Sequence, residues 1–242
     1  MDFEQRLAEV RWRMEAACQR VKRPLDSVTL LAVTKGHPPE TVAAAVRSGL
    51  TLFGENKVQE AKAKIPLCPG RARWQLIGHL QSNKCRDAVH FFEMIQSVDS
   101  LALAQEINKW ADKAGKRMPV MIEVNIGGEG SKFGYAQDRL RLELAEINRC
   151  PRLEIQGLMT VPPWTADPEK TRTSFRRLRE LKEECETLLG APLPHLSMGM
   201  SGDFEIAIEE GATMIRLGTV LFGPRTRIAR QREASGEIES DI

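Results

Sequence analysis

At 242 residues the chain has room for one large domain or two small ones, and 42% hydrophobic with 28% charged residues is an ordinary globular composition with ample core material. A formal net charge of +2 is close to balance, which argues against a polyanion or a membrane surface as partner. Five cysteines at wide spacing, with no CxxC pair, read as reduced thiols of a cytosolic protein rather than a disulfide framework.

In chain order, residues Met1 to Val21 mix charges with Phe3, Leu7, Val10 and Met14 in the pattern of an amphipathic helix. That segment lacks the unbroken apolar stretch of a signal peptide, and no later run reaches membrane-spanning length, so a soluble cytoplasmic protein is expected. Thereafter two periodicities alternate. Apolar runs predict strands at Val28–Thr34, Arg73–Ile77, Met94–Val98, Val120–Ile126, Leu153–Thr160 and Met214–Leu217, with weaker ones at Thr51–Phe53 and His195–Ser197. Several are apolar at nearly every position, as parallel strands covered on both faces must be. Helical spacing marks Glu40–Ser48, Val58–Lys64, Leu101–Lys113, Asp138–Asn148 and Pro168–Leu189, with a short helix expected at Phe204–Glu209. Pro38-Pro39-Glu40 suits a helix opening, and Gly115 and Gly190 each close a helical pattern.

Eight strands alternating with helices in this length point to a single α/β domain, a (β/α)₈ barrel with an extra N-terminal helix, more readily than to an open doubly wound sheet. The barrel with its helix is expected to span residues 1–225, followed by a polar, disordered tail over 226–242 and no second domain. Arg172, Arg176, Arg177 and Arg179 interleave with Phe175, Leu178 and Leu181 at helical spacing, so they read as a solvated helix face rather than a nucleic-acid site.

Barrels carry their working groups where strands end. Three features stand out there. Gly199, Ser201 and Gly202 precede a helix, and Gly218-Thr219 repeats that chemistry one strand later. Glycines admit an anion to the backbone, hydroxyls and free N–H groups bind it, and barrel phosphate sites commonly form after strands seven and eight. The plainer reading is two tight turns with a capping serine. Lys35 ends the first strand; it is either a solvated terminus or an amine poised to form a Schiff base with an aldehyde. Arg216 lies inside an apolar strand, which requires a partner: a carboxylate such as Asp203 or Glu123, or the ring nitrogen of a bound cofactor. A phosphorylated aldehyde cofactor would join the phosphate loops to Lys35.

Six blocks carry a resemblance: Leu31-Ala32-Val33-Thr34-Lys35; Phe53-Gly54-Glu55-Asn56 with Val58-Gln59-Glu60; Ile77-Gly78-His79-Leu80-Gln81-Ser82-Asn83-Lys84; Gly157-Leu158-Met159; Ser197-Met198-Gly199-Met200-Ser201 with Asp203; and Ile215-Arg216-Leu217-Gly218-Thr219 with Phe222-Gly223. In order and spacing they resemble the YggS/PROSC family of pyridoxal 5′-phosphate (PLP) homeostasis proteins. The resemblance implies a fold-type III PLP barrel like the N-terminal domain of alanine racemase. It makes Lys35 the Schiff-base residue, puts Asn56 near the cofactor ring and Arg216 at the pyridine nitrogen, and gives the phosphate to Ser201, Gly218 and Thr219. It also implies a protein that carries or buffers PLP in vitamin B6 and amino-acid balance without established turnover. A monomer that binds no metal is expected, with PLP-dependent apo-enzymes as candidate recipients. Lys57 stands where many members have tyrosine, Gly36-His37 varies the stretch after the lysine, and Ser131-Lys132 with Gly134 matches a family loop.

Two other functions compete. Racemisation by the two-base route needs an acid/base on each face of the substrate carbon; Lys35 serves one face, and Tyr135, the only tyrosine, His79 or His37 would have to serve the other. A regulator that senses PLP while docking a protein would use the Pro168–Leu189 helix or the charged tail, and neither carries a partner motif.

Overall fold

The computed structural model describes residues 1–128 and 133–224. The segment holding Ser131-Lys132 and the tail over 226–242 lie outside the described residues. Eight parallel strands close into one barrel in sequence order: β1 (Thr29–Val33), β2 (Leu52–Glu55), β3 (Arg73–Leu76), β4 (Met94–Val98), β5 (Met118–Glu123), β6 (Leu153–Met159), β7 (His195–Ser197) and β8 (Met214–Leu217). Closure is made by β1 against β8, with Leu31 opposite Arg216 and Ala32 opposite Leu217. The expected barrel is therefore the observed one.

Helices coat the outside: α1 (Phe3–Arg20), α2 (Pro39–Arg47), α3 (Val58–Lys64), α4 (Cys85–Phe91), α5 (Leu101–Lys113), α6 (Gln137–Asn148), α7 (Pro168–Leu189), α8 (Phe204–Glu209) and the short α9 (Thr219–Phe222). Their starts are written locally. Asp2 accepts the Gln5 amide while the Gln5 side chain accepts the Asp2 amide, a reciprocal cap for α1. Proline occupies the first turn of α2 and α7, where a missing N–H costs nothing.

Three strand ends and one helix differ from expectation for identifiable physical reasons, and other ends shift by a residue or two. The strand expected at Val120–Ile126 leaves the sheet after Glu123, because Asn125 donates to the Tyr135 carbonyl and the Tyr135 amide donates to the Glu123 carbonyl. The strand expected at Thr51–Phe53 runs on through Gly54 and Glu55, whose carboxylate has buried partners described below. The expected strand β1 stops at Val33, before a turn closed by the His37 amide on the Thr34 carbonyl. The helix α4 was not foreseen; with Arg86, Asp87 and His90 among its residues, its apolar pattern is too short to register.

Strand alternation sorts the side chains into two sets. Ala32, Phe53, Leu76, Ile95, Ile122, Leu158, Leu196, Ile215 and Leu217 face the helical coat in the main core. Leu31, Val33, Met94, Met121, Met159 and Met214 form a separate plug inside the barrel, with Leu52 and Ile77 packed on it.

The extra helix α1 braces the last two units. Arg13 pairs with Glu205 at 2.6 Å and Arg20 with Glu209 at 2.6 Å, and Phe3 stacks on Phe222 of α9 with ring centres 5.4 Å apart. The arginines of α7 are not simply solvated: Arg172, Arg176 and Arg179 converge on Glu210 of the α8 C-terminus. Arg23 reaches past α1 to donate to the Ile208 and Ala212 carbonyls at 2.9 Å each. Truncating that guanidinium removes charge-assisted bonds to backbone carbonyls, so Arg23→Met is expected to lower unfolding free energy by about 1.5–3 kcal/mol in urea titration, with the barrel's circular dichroism unchanged.

Candidate functional site

Register brings the candidate residues to one end of the lumen. Val33 of β1 lies opposite Gly54 of β2, and Thr34 donates its amide to the Gly54 carbonyl, so Lys35 and Asn56 emerge side by side. On the other flank a Cβ placed on Gly218 would lie 3.2 Å from the Val33 carbonyl, so the Gly218-Thr219 turn abuts the end of β1. Lys35 continues the inward parity of Leu31 and Val33, and Arg216 that of Met214. The Ser201 hydroxyl accepts the Val220 amide at 3.3 Å, which ties the loop after β7 to the turn after β8. Lys35, Asn56 and Ser201 are half-buried, Thr219 is exposed, and Arg216 is buried beneath them.

Asn56 is placed by a close approach. A Cβ on Gly78 would meet the Asn56 backbone, 2.7 Å from its Cα, so only glycine lets the β3 end pack there. The same β3 end delivers His79. Its Nδ1 is 3.0 Å from an oxygen of Asp99, within ion-pair reach but without hydrogen-bond alignment, and its ring stacks on Phe133 at 3.7 Å.

Beneath the mouth, Arg216 heads a directional chain of bonds. It donates to the Ser197 hydroxyl at 2.8 Å and the Thr160 carbonyl at 2.7 Å. Ser197 donates to the Gln96 side-chain oxygen at 2.6 Å, and Gln96 donates in turn to Gln75. The partners of Arg216 are thus neutral oxygens; Glu123 and Asp203 act on it only through the field. Burial pulls its pKa down to about 10, so the guanidinium keeps its charge at neutral pH. Gln75 and Gln96 carry no signal in the sequence reading, and Ser197 enters it only as part of a matching block, although each is a polar residue at an inward position of a strand.

Glu123 is the other buried charge of the lumen, and one of its oxygens has no hydrogen-bond partner. Burial first, and then the Asp99 carboxylate, push its pKa up to about 7 against the pull of Arg216. The remaining candidates for a second acid/base fare differently. Tyr135 is fully buried and gives its hydroxyl to Glu143 at 2.9 Å, and burial raises its pKa. It is a structural residue. His37 packs on Phe222 at 5.5 Å, and Lys57 occupies the N-cap position of α3 without a side-chain cap bond. Among the described residues no helix is long and apolar enough to cross a membrane, and no group of three or more potential ligands is placed to hold a metal ion.

A parallel barrel with a lysine, an asparagine, a buried arginine and two linked glycine-hydroxyl loops at its mouth defines a class: proteins built on the alanine racemase N-terminal fold. The family described as alanine racemase, N-terminal domain, matches residues 7–226. A pyridoxal phosphate homeostasis protein of Aquifex aeolicus is 44% identical over 227 residues, covering 93% of this chain and 99% of that one. The structure of PipY from Synechococcus elongatus without PLP superposes with a TM-score of 0.83 at 37% identity, over 92% of this chain and all of that one. PipY with PLP bound gives 0.80 at the same identity. An alanine racemase of Clostridium difficile, 15% identical with a TM-score of 0.67, shares the fold over 87% of this chain and 55% of its own length. The chain belongs to the family of pyridoxal phosphate homeostasis proteins.

Glu123 makes stability depend on pH. With a folded pKa near 7 and an unfolded one near the usual carboxylate value, the unfolded chain releases its proton first as pH rises. The stability it contributes is complete in acid and is lost as pH climbs from about 4.3 through 7. Glu123→Gln is therefore expected to match the wild type at pH 4.5 and to melt higher than it at pH 8; melting curves showing equal gaps at both would exclude this origin.

Proposed function

We propose that the chain holds PLP at the barrel mouth through a Schiff base on Lys35 and serves as a carrier or reserve of the cofactor with little or no turnover. The observation that carries this is the placement of Lys35 between Asn56 and the Gly218-Thr219 turn, with Ser201 tied to the same turn. That donor set fits a phosphorylated aldehyde: an amine for the carbonyl, an amide for the ring, hydroxyls and backbone N–H groups for the phosphate. PLP bound in the 37%-identical PipY and the shared name of the curated relatives support the same reading.

In this assignment Ser201, Gly218 and Thr219 bind the phosphate and Asn56 contacts the ring. Arg216 faces the pyridine nitrogen, where its permanent charge disfavours a ring proton. When bound, the cofactor supplies an electrophilic carbonyl and an electron-withdrawing ring; opposite Arg216 that withdrawal is weak. The network through Ser197 and Gln96 holds the guanidinium in place rather than moving protons. A racemase is disfavoured because Tyr135 is buried on Glu143, which leaves only His79 and His37 of the candidates for the second face. The racemase neighbour speaks for the fold alone. We place the protein in the cytosol as a monomer, take residues 1–225 as the working unit, and name PLP-dependent apo-enzymes as recipients.

Protein mixed with PLP is expected to develop a visible band that borohydride abolishes, with pyridoxyl mass on Lys35 by peptide mapping. Scattered label on surface lysines, unchanged in Lys35→Ala, would overturn the assignment. Ser201→Ala is expected to weaken PLP retention by about tenfold, the worth of one bond to a charged group. Alanine racemisation above the rate of free PLP would restore the enzyme reading.

A further inference from the structure

Behind the wall of the barrel, on the side away from the lumen, lies a second charged cluster that the site does not account for. Lys64, at the end of α3, is 6% exposed, which for a lysine demands full pairing. An ammonium has three donors, and all three are used. They go to the Thr34 carbonyl at 2.8 Å, to Glu55 at 2.8 Å and to Glu60 at 2.7 Å. Glu60 sits one turn before Lys64 on the same helix face. The same Glu60 oxygen accepts the Gly36 amide at 2.7 Å, and the same Glu55 oxygen accepts the Thr34 hydroxyl at 2.6 Å.

Every one of these bonds ends on a residue adjoining Lys35 or on a group that holds one. Lys35 occupies a corner of the turn in which the His37 amide donates to the Thr34 carbonyl at 3.0 Å. Gly36 follows it with a φ of +70°, the left-handed conformation that such a turn reserves for glycine at this corner. The Thr34 carbonyl and hydroxyl before the corner and the Gly36 amide after it are all gripped from α3. Parity explains how this is possible: Thr34 and Glu55 follow Ala32 and Phe53 toward the coat, while Lys35 and Asn56 follow Val33 and Gly54 toward the lumen. The His37 ring packs on Phe222 and closes the turn from the α9 side.

A buried ion cluster is a costly way to hold a loop, because apolar residues of similar volume stabilise as well. The charges do what apolar residues do not: they fix the direction of single peptide groups. We propose that Lys64, with Glu60 and Glu55, is a positioning residue for Lys35, a clamp that sets the corner from which the Lys35 amine meets an aldehyde. This rests on the reading that Lys35 carries PLP. Glu55 adds a second feature, since burial raises its pKa to about 7 against the pull of Lys64, and its other oxygen is buried with no hydrogen-bond partner.

The test compares Lys64→Met, Glu60→Ala and Glu60→Gln with the wild type and with Arg23→Met, a remote variant that loses stability without touching the turn. Two readouts are taken on folded protein: the rate at which PLP followed by borohydride labels Lys35, and hydrogen exchange at the Gly36 amide. Lys64→Met and Glu60→Ala are expected to slow labelling by about tenfold or more, as small misplacements of a reacting group do, and to release the Gly36 amide. Glu60→Gln keeps an acceptor for Gly36 and is expected to stay within about threefold of wild type, and Arg23→Met to match it. Normal labelling of Lys35 in Lys64→Met and Glu60→Ala overturns the clamp while leaving the PLP site intact. Equal slowing in Arg23→Met overturns it too, as a mere effect of stability. Should Lys64→Met not fold, the Glu60 pair decides alone. If wild-type Lys35 takes no label, the reading of the site fails, and the clamp falls with it.

Discussion

The closure of β8 onto β1 is the constraint on which the rest depends. Two segments separated by most of the chain meet as neighbouring strands, with Leu31 opposite Arg216. Because side chains alternate across a strand, that single register decides which residues share the lumen. A slip of one position would send Arg216 into the helical coat and bring Ile215 or Leu217 inside. The lysine at one end of the sequence and the glycine-hydroxyl turn at the other become one site only through this pairing. The helix α1 reinforces it from outside, since its salt bridges and the carbonyl bonds of Arg23 hold α8 and the chain leading into β8.

The lumen combines an apolar plug with a polar row. Methionines from four strands supply much of the plug, where flexible side chains pack an irregular space. Among them, Arg216, Ser197, Gln96 and Gln75 are joined in a row, each donating to the next. A buried guanidinium is tolerable only with such support. Glu123 departs from this pattern, with one buried oxygen that has no hydrogen-bond partner.

Much of this was legible in the sequence. Apolar runs located all eight strands, and the extra helix and the loops after strands seven and eight were read from pattern and glycine spacing. Lys35 and Arg216 stood out because a charge in or after a buried strand requires a reason. What escaped notice involved long range or short length. The bonds of Glu55 and Thr34 to Lys64 join three segments, and no local pattern shows that their side chains turn the same way. The end of β5 depends on a backbone exchange with Tyr135, eleven or so positions downstream of where the strand leaves the sheet. Tyr135 itself looked like a candidate acid; only its burial and its bond to Glu143 show that it holds its loop instead.

The same fold supports racemases and homeostasis proteins, so function must be argued from what surrounds the lysine. Here the mouth combines a rigidly held base of the site with few groups able to move protons. Arg216 is fixed and permanently charged, Tyr135 is engaged, and Glu123 lies beneath the mouth, close enough to Arg216 for their charges to interact. His79 lies 3.0 Å from Asp99, an ionisable pair beside the site. Rigid anchorage with sparse proton chemistry suits a site that holds a reactive carbonyl and gives it back, because holding needs geometry alone whereas two-base racemisation needs a second acid/base on the opposite face.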